Sequence, residues 1–210
     1  LRGAGTARFG HQDLSGQVVG DSAMARTVLA PHPHLATAAA RVRLLLTDVD
    51  GVWTDGRLLY VPGLDDQIVE TKAVSALDGQ GFRWWHAAGH VSGIISGREA
   101  PGIDYRARML GVTYIYQNHL EKMAPYEEIC AAVGVSDEEV AYVGDDLPDI
   151  PLLRRAGVSA AVANARQEVK AAADYVTEAR GGDGAVREVI ELILRARGEW
   201  QAVLDRYSAT

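Results

Sequence analysis

Two aspartates follow an apolar segment near the start of the chain. Residues 44–46 are all leucine, and Asp48 and Asp50 come directly afterwards, before Gly51. Two carboxylates this close repel each other unless a cation or a shared proton stabilises them. The pair therefore predicts a metal-dependent site in which one carboxylate attacks a substrate and the other transfers protons. A helix cap followed by an Asp-Gly turn is the alternative that this segment alone leaves open.

Two further polar groups follow apolar segments. Ser96 comes after residues 91–95, and its hydroxyl and neighbouring backbone N–H groups could hold phosphate oxygens, although Ser-Gly is also common in turns. Lys122 comes after residues 112–116, at the predicted start of a helix. A cation is unfavourable at that end of the helix dipole, which indicates an external anionic partner. A solvent-exposed surface lysine is the alternative.

Three carboxylates follow the apolar residues 140–144, namely Asp145, Asp146 and Asp149. Carboxylate oxygens favour Mg²⁺, which takes one or two of them together with water and substrate phosphate. One of the three is expected to cap the next helix, because Pro148 stands in its first turn. All three acting as caps is not expected, so this segment predicts a metal site.

The elements that must position these groups alternate along the chain. Strands are predicted at residues 43–48, 91–95, 112–116, 140–144, 158–162 and 174–177. Helices are predicted at 79–88, 99–110, 121–133, 147–155 and 165–172, with a single C-terminal helix at 184–206. This alternation predicts a doubly wound parallel α/β sheet, whose ligands bind beyond the carboxyl ends of the strands. A β-hairpin over residues 57–72 is inserted after the first strand.

Composition limits the class of protein. We expect a single domain over residues 31–210, preceded by a loose arm over residues 1–30. A net charge of −7 without a basic block argues against nucleic-acid binding. One cysteine, Cys130, excludes an internal disulfide and a multi-cysteine zinc site. No apolar run approaches the roughly 18 residues of a membrane span, and the first 30 residues lack a signal-peptide pattern, so a cytoplasmic protein without membrane partners is expected.

The order of these motifs resembles the haloacid dehalogenase-like phosphatase superfamily. Longer phrases resemble more closely the 3-deoxy-D-manno-octulosonate 8-phosphate phosphatase family, among them Asp48-Val-Asp-Gly-Val-Trp-Thr-Asp-Gly, Ser96-Gly-Arg-Glu-Ala-Pro and Val140-Ala-Tyr-Val-Gly-Asp-Asp-Leu-Pro-Asp. The resemblance spans about residues 42–194. It implies a haloacid dehalogenase-like Rossmannoid fold without a cap domain, Mg²⁺ as cofactor, and hydrolysis of a sugar-acid phosphate.

The resemblance also implies roles for the motif residues. Asp48 would be the nucleophile that forms an aspartyl-phosphate, and Asp50 the general acid and base. Ser96 and Lys122 would hold the phosphoryl oxygens. Mg²⁺ would be bound by Asp48, by the backbone carbonyl of Asp50, and by Asp145.

A further set of residues would surround the sugar acid if the resemblance holds. Besides Asp50 and Lys122 it contains Ser75, Ala76, Leu77, Asp78, Gly79, Arg83, Arg98 and Arg106. Arginine suits a ligand carboxylate because its guanidinium binds two oxygens, whereas surface solvation is the alternative for Arg83 and Arg106. The family commonly has arginine at the positions of Leu77 and Asp183. The sugar is therefore left open, with a nine-carbon nonulosonate 9-phosphate as the alternative substrate.

The spacing of the motifs bears on assembly. Neither the segment from Asp50 to Ser96 nor the segment from Ser96 to Lys122 can hold a cap domain, yet phosphoryl transfer benefits from water exclusion. The resemblance implies a homotetramer in which the hairpin and the tail, residues 180–210, close a neighbouring site. A non-catalytic oligomerisation module of the same fold and a phospho-accepting signal receiver are the competing classes.

Overall fold

The computed structural model describes residues 33–208 of the chain. The predicted loose arm over residues 1–30 lies outside the described residues. In chain order the elements are α1 (Pro33–Ala39), β1 (Leu44–Thr47), β2 (Leu59–Pro62), β3 (Ile68–Thr71), α2 (Ala76–Ala87), β4 (Val91–Ile95), α3 (Pro101–Leu110), β5 (Tyr114–Tyr116), α4 (Met123–Val133), β6 (Val140–Gly144), α5 (Ile150–Leu153), β7 (Val158–Ala161), α6 (Gln167–Ala172), β8 (Tyr175–Val176), α7 (Ala185–Ala196) and α8 (Trp200–Ser208).

Six of the strands form one parallel sheet, in the order β5-β4-β1-β6-β7-β8. β1 is buried along its whole length, as a strand covered on both faces must be. It lies between β4 and β6, and Thr47 at its end pairs with Ile94 on one side and Val143 on the other. The predicted parallel sheet is confirmed, and its register brings the carboxyl ends of three motif-bearing strands together.

The helices form two groups, as expected for a sheet that is covered on both faces. α1 and α2 each pack against α7, and α5 packs against both α4 and α6. Aromatic side chains fill the core between helices and sheet, with Phe82, Trp85, Tyr126 and Tyr142 fully buried. Among residues 33–208, no helix is both long enough and apolar enough to cross a lipid bilayer.

The inserted hairpin is confirmed. β2 and β3 pair antiparallel, with Leu59 opposite Thr71 and Pro62 opposite Ile68, and a short 3₁₀ turn connects them. All four residues of β2 are exposed, and β3 is nearly as open. The hairpin therefore presents an apolar surface that the described residues of this chain leave uncovered.

Two helix predictions need correction, and one helix of the structure was not predicted. The predicted single C-terminal helix is two helices, α7 and α8, because Gly198 adopts a left-handed conformation (φ +72°) that ends the first one. The predicted helix at 147–155 is a 3₁₀ turn over Leu147–Asp149 followed by the short α5. α1 was not predicted, since its small, alanine-rich sequence carries little amphipathic pattern.

Candidate active site

A cleft of about 390 Å³ opens at the carboxyl ends of β1, β4 and β6. It is lined by Asp48, Asp50, Gly97, Arg98, Leu120, Lys122, Asp145, Asp146, Pro148 and Asp149. Four of the five predicted catalytic and metal-binding residues are in this lining. The fifth, Ser96, is buried at the end of β4, directly before Gly97, and its hydroxyl accepts a hydrogen bond from the Arg98 N–H.

Lys122 lies between two carboxylates at the floor of this cleft. Its Nζ is 2.9 Å from Asp48 Oδ1 and 2.7 Å from Asp149 Oδ1, and its side chain is almost fully buried. Burial alone favours the neutral amine, but the charges of Asp48 and Asp149 outweigh it and raise the pKa of Lys122. Lys122 is therefore a fixed cation beside Asp48, at the residue that precedes α4.

Asp149 organises the loop after β6. Its carboxylate is fully buried, and Oδ1 accepts hydrogen bonds from Lys122 and from the Tyr142 hydroxyl, both at 2.7 Å. Oδ2 accepts the backbone N–H groups of Asp145 (2.9 Å) and Asp146 (3.2 Å). Because both oxygens are fully engaged, Asp149 orients its neighbours. Sequence analysis did not identify Tyr142, since a tyrosine inside a buried strand is normally a core residue.

Asp48, Asp145 and Asp149 form an acidic cluster whose oxygens lie within 4.8 Å of one another. Burial raises the pKa of Asp48 to about 6, against the lowering effect of Lys122. Burial, with the charges of Asp48 and Asp149, raises the pKa of Asp145 to about 8. Asp145 Oδ1 is buried and accepts no hydrogen bond from the described residues. Concentrated negative charge with an unpartnered carboxylate oxygen is the donor set that a hard divalent cation requires.

Gly51 permits the close approach of the two acidic loops. It has φ +92°, and a Cβ at this position would lie 2.1 Å from Asp145 Oδ2. A side chain would therefore be strained by the backbone and would collide with the carboxylate. The glycine after the first aspartate pair is thus explained by the second acidic loop, 94 positions later in the chain.

Asp50 has a partner that sequence analysis did not identify. Lys72, the residue after β3, places its Nζ 2.7 Å from Asp50 Oδ1 and 2.8 Å from Oδ2. The Lys72 side chain is only 2% exposed. Nothing in the local pattern distinguishes it from a lysine on the open face of a hairpin, so the contact depends on tertiary structure alone.

The predicted substrate residues are divided between two places. Arg98 is exposed and lines the cleft, whereas a second group lines a small separate recess beside α2, namely Ser75, Asp78, Gly79 and Arg106. Ser75 also caps α2, its Oγ accepting the Leu77 N–H. Ala76 and Leu77 begin that helix, and Arg83 is exposed further along it. The structure therefore does not bring the whole predicted set together around one cleft of one chain.

The recess contains two buried polar atoms without a hydrogen-bond partner among the described residues, Asp78 Oδ2 and Arg106 Nε. The other oxygen of Asp78 accepts the Arg187 N–H at 2.8 Å, at the start of α7. Burial raises the pKa of Asp78 to about 6. The Arg106 guanidinium lies against Gly79, where a Cβ would be 2.4 Å from Nη2.

Comparisons with known proteins agree with this geometry. The family model of haloacid dehalogenase-like hydrolases matches residues 80–190. The 3-deoxy-D-manno-octulosonate 8-phosphate phosphatase of Salmonella typhimurium is 40% identical over 167 residues, which cover 80% of this chain and 87% of that protein. The Yersinia pestis phosphatase of the same name is 44% identical over 159 residues, 76% of this chain and 83% of the relative.

A solved structure carries ligands. The crystal structure of the 3-deoxy-D-manno-octulosonate 8-phosphate phosphatase from Moraxella catarrhalis, in complex with a magnesium ion, a phosphate ion and a KDO molecule, is 35% identical to this chain. It superposes with a TM-score of 0.79, and the match covers 84% of this chain and 99% of that chain.

Proposed function

The chain belongs to the haloacid dehalogenase-like hydrolases, in the family of 3-deoxy-D-manno-octulosonate 8-phosphate phosphatases, and from this we propose that it hydrolyses that sugar phosphate with Mg²⁺ as cofactor. One observation carries the proposal. Asp48 and Asp145 face each other across the cleft, with Lys122 fixed beside Asp48 and one oxygen of Asp145 left without a protein partner.

The residues at the cleft fit Mg²⁺. Asp48 and Asp145 supply carboxylate oxygens, the backbone carbonyl of Asp50 would supply another, and Asp149 is already engaged by hydrogen bonds. When bound, the ion offsets the negative charge of the carboxylates and of the phosphoryl group. Burial, together with the neighbouring carboxylates, raises the pKa values of Asp48 and Asp145, and a bound cation would favour the charged form of both groups.

We assign the two carboxylates of the first loop different roles. A carboxylate oxygen of Asp48 attacks phosphorus, and the bond from phosphorus to the sugar oxygen breaks as the aspartyl-phosphate forms. Asp50 gives a proton to the departing sugar oxygen. Water then attacks phosphorus, its proton passes to Asp50, and the bond to Asp48 breaks to release inorganic phosphate. Lys122 and the Ser96 hydroxyl would stabilise charge on the phosphoryl oxygens through both steps.

We propose that Arg98 binds the sugar acid from the rim of the cleft, because it is exposed there and its guanidinium suits a carboxylate. Ser75, Asp78, Gly79 and Arg106 line the other recess, and we propose that they contribute to the cleft of a neighbouring subunit. We propose the same for Ala76, Leu77 and Arg83, which lie on the same helix.

Because the predicted substrate residues are divided between the cleft and a separate recess, we propose that the chain assembles as a homotetramer. The apolar side chains of the hairpin are exposed, namely Leu59, Tyr60, Val61, Leu64, Ile68 and Val69. An uncovered apolar surface of this kind is typical of an interface between subunits. We propose that the hairpin and the C-terminal tail close a neighbouring cleft, and that the tetramer is cytoplasmic. Light scattering on the wild type and on Ile68→Glu tests the assembly. A tetrameric mass that the substitution reduces supports it, and a monomeric wild type contradicts it.

The substrate is tested by phosphate release. The purified chain is assayed with and without Mg²⁺ on a panel of sugar phosphates, with Asp48→Asn as control. Preference for the octulosonate 8-phosphate, lost without Mg²⁺ and in Asp48→Asn, is expected. Preference for a nonulosonate 9-phosphate would favour the alternative sugar. This alternative is open because Leu77 and Asp183 stand where the family commonly has arginine. No release from any substrate would favour a non-catalytic oligomerisation module.

A further inference from the structure

Lys72 connects the hairpin to the cleft. It follows β3 directly, and its Nζ contacts both carboxylate oxygens of Asp50, at 2.7 and 2.8 Å. Its side chain is 2% exposed, whereas an ammonium group that has no partner remains in water. Asp50 itself is partly exposed at the cleft. The burial of Lys72 therefore depends on its contact with a residue of the active site.

The hairpin holds Lys72 from its other side. Glu70 Oε1 lies 3.5 Å from Lys72 Nζ, and Glu70 Oε2 accepts the Tyr60 hydroxyl at 3.1 Å. Tyr60 and Glu70 are directly opposite each other in the β2–β3 pair. Because these contacts lie within one hairpin, the position of the Lys72 ammonium is set by the hairpin and is then imposed on Asp50.

The contact fixes the orientation of the Asp50 carboxyl group. Terminal torsions of aspartate have broad minima, so a partly exposed carboxyl rotates unless it is held. One charge-assisted hydrogen bond from the Lys72 ammonium to Oδ2, together with its ionic contact to Oδ1, removes this freedom.

We propose that Lys72 is a positioning residue for the second half of the reaction, in which it holds the Asp50 carboxylate toward the attacking water. The inference rests on the proposed function, since it uses the assignment of Asp50 as proton carrier. Water adds to phosphorus, the bond from phosphorus to Asp48 breaks, and the water proton goes to Asp50. Lys72 keeps its own proton and acts on the reaction only through Asp50.

The test compares Lys72→Met, which keeps the length of the side chain without its charge, with Lys72→Arg, which keeps a charge. We expect kcat for the octulosonate 8-phosphate to fall about 10- to 100-fold in Lys72→Met, as for a misplaced catalytic group, while KM changes less than about twofold. Acid-quenched Lys72→Met should hold covalent phosphate on Asp48 during turnover, detected as a phosphoryl mass on the intact protein. Lys72→Arg should recover part of kcat, and Lys170→Met, on α6, should behave like wild type.

The outcomes separate this inference from the proposed function. An active wild type with a Lys72→Met variant of normal kcat, or with a raised KM alone, overturns the inference and leaves the phosphatase intact. A variant that is slow without accumulating covalent phosphate also overturns it, because Lys72 would then act before the second step or on folding. If the wild type releases no phosphate, or Asp48→Asn remains active, the proposed function itself fails.

Discussion

Asp149 and Lys122 form a buried ion pair at the floor of the cleft, with Lys122 Nζ 2.7 Å from Asp149 Oδ1. Neither residue is exposed enough for water to replace the other. The same lysine is 2.9 Å from Asp48, so the ion pair with Asp149 holds Lys122 in place beside Asp48. Asp149 also holds the loop that carries Asp145, because its Oδ2 accepts the backbone N–H of Asp145. One buried carboxylate thus positions both Lys122 and the loop that carries Asp145.

Asp149→Asn should therefore impair folding and catalysis together. Removing one partner of a buried ion pair leaves the other charge uncompensated, and we expect a loss of about 3 kcal/mol in the free energy of unfolding. We also expect kcat to fall at least about tenfold, because Lys122 and the loop lose a common support. Urea unfolding and phosphate release measure the two effects.

Asp137→Asn is the matched control. Asp137 likewise accepts a tyrosine hydroxyl, that of Tyr126 at 3.0 Å, and a cation, Arg155 at 2.8 Å, but it is part-exposed and outside the cleft. We expect it to lose about 1 kcal/mol or less and to keep wild-type kcat. Equal effects of the two substitutions on kcat would contradict the role given to Asp149.

Much of the site could be predicted because the motifs follow consecutive strands of a parallel sheet. Asp48, Lys122 and Asp145 each lie just beyond an apolar run, and parallel pairing brings such positions to one edge. The contacts of Asp50 with Lys72 and of Asp149 with Tyr142 could not be predicted, since they join segments whose relative placement depends on packing. Local sequence patterns do not predict such side-chain contacts.

The helix errors have a similar origin. The break between α7 and α8 depends on one left-handed glycine, Gly198, and the amphipathic pattern of the sequence continues on both sides of it. An isolated glycine is tolerated in many helices, so its conformation is decided by tertiary contacts such as those of Arg197 with the Ala40 and Val42 carbonyls.

Removal of Asp145 should abolish stabilisation by Mg²⁺. A ligand that binds the folded chain alone raises the free energy of unfolding by about 2.7 kcal/mol at one hundred times its Kd. We expect the thermal midpoint of the wild type to rise with Mg²⁺ and that of Asp145→Asn to stay constant, measured by calorimetry. Asp146→Asn is the comparison, because that carboxylate caps the following turn through the Leu147 N–H. A rise in Asp145→Asn equal to that of the wild type would exclude Asp145 as a ligand.

Asp78 should make stability depend on pH. Burial raises its pKa from 3.8 to about 6, so the folded chain binds the proton more tightly than the unfolded chain. Its contribution is fully present below pH 3.8 and is lost as the pH rises through about 6, by at most about 3 kcal/mol. Asp78→Asn does not titrate and keeps an acceptor for the Arg187 N–H. Relative to wild type, its free energy of unfolding should increase between pH 4.5 and 7 in urea titrations; a constant difference would contradict the burial argument.

Gly181 should tolerate no side chain, because the tail turn packs directly on the first acidic loop. A Cβ at Gly181 would lie 1.6 Å from the Gly51 carbonyl oxygen, a backbone atom that cannot swing aside. The next residue, Gly182, donates its N–H to the Val52 carbonyl at 3.0 Å. Gly181→Ala must therefore separate the tail from the loop that carries Asp48. We expect a loss of more than about 2 kcal/mol in the free energy of unfolding, typical of strain in a packed interior, and a fall in kcat.

Gly102→Ala provides the control for the same chemical change. Gly102 lies in α3, and no atom is within 4 Å of its added Cβ, so only helix propensity changes. Alanine is favoured over glycine in a helix by up to about 1 kcal/mol, and we expect a neutral or slightly more stable protein with wild-type kcat. Urea unfolding measures the stability of both variants, and phosphate release measures their kcat. If Gly181→Ala were as stable and active as Gly102→Ala, the tail would not support the loop that carries Asp48.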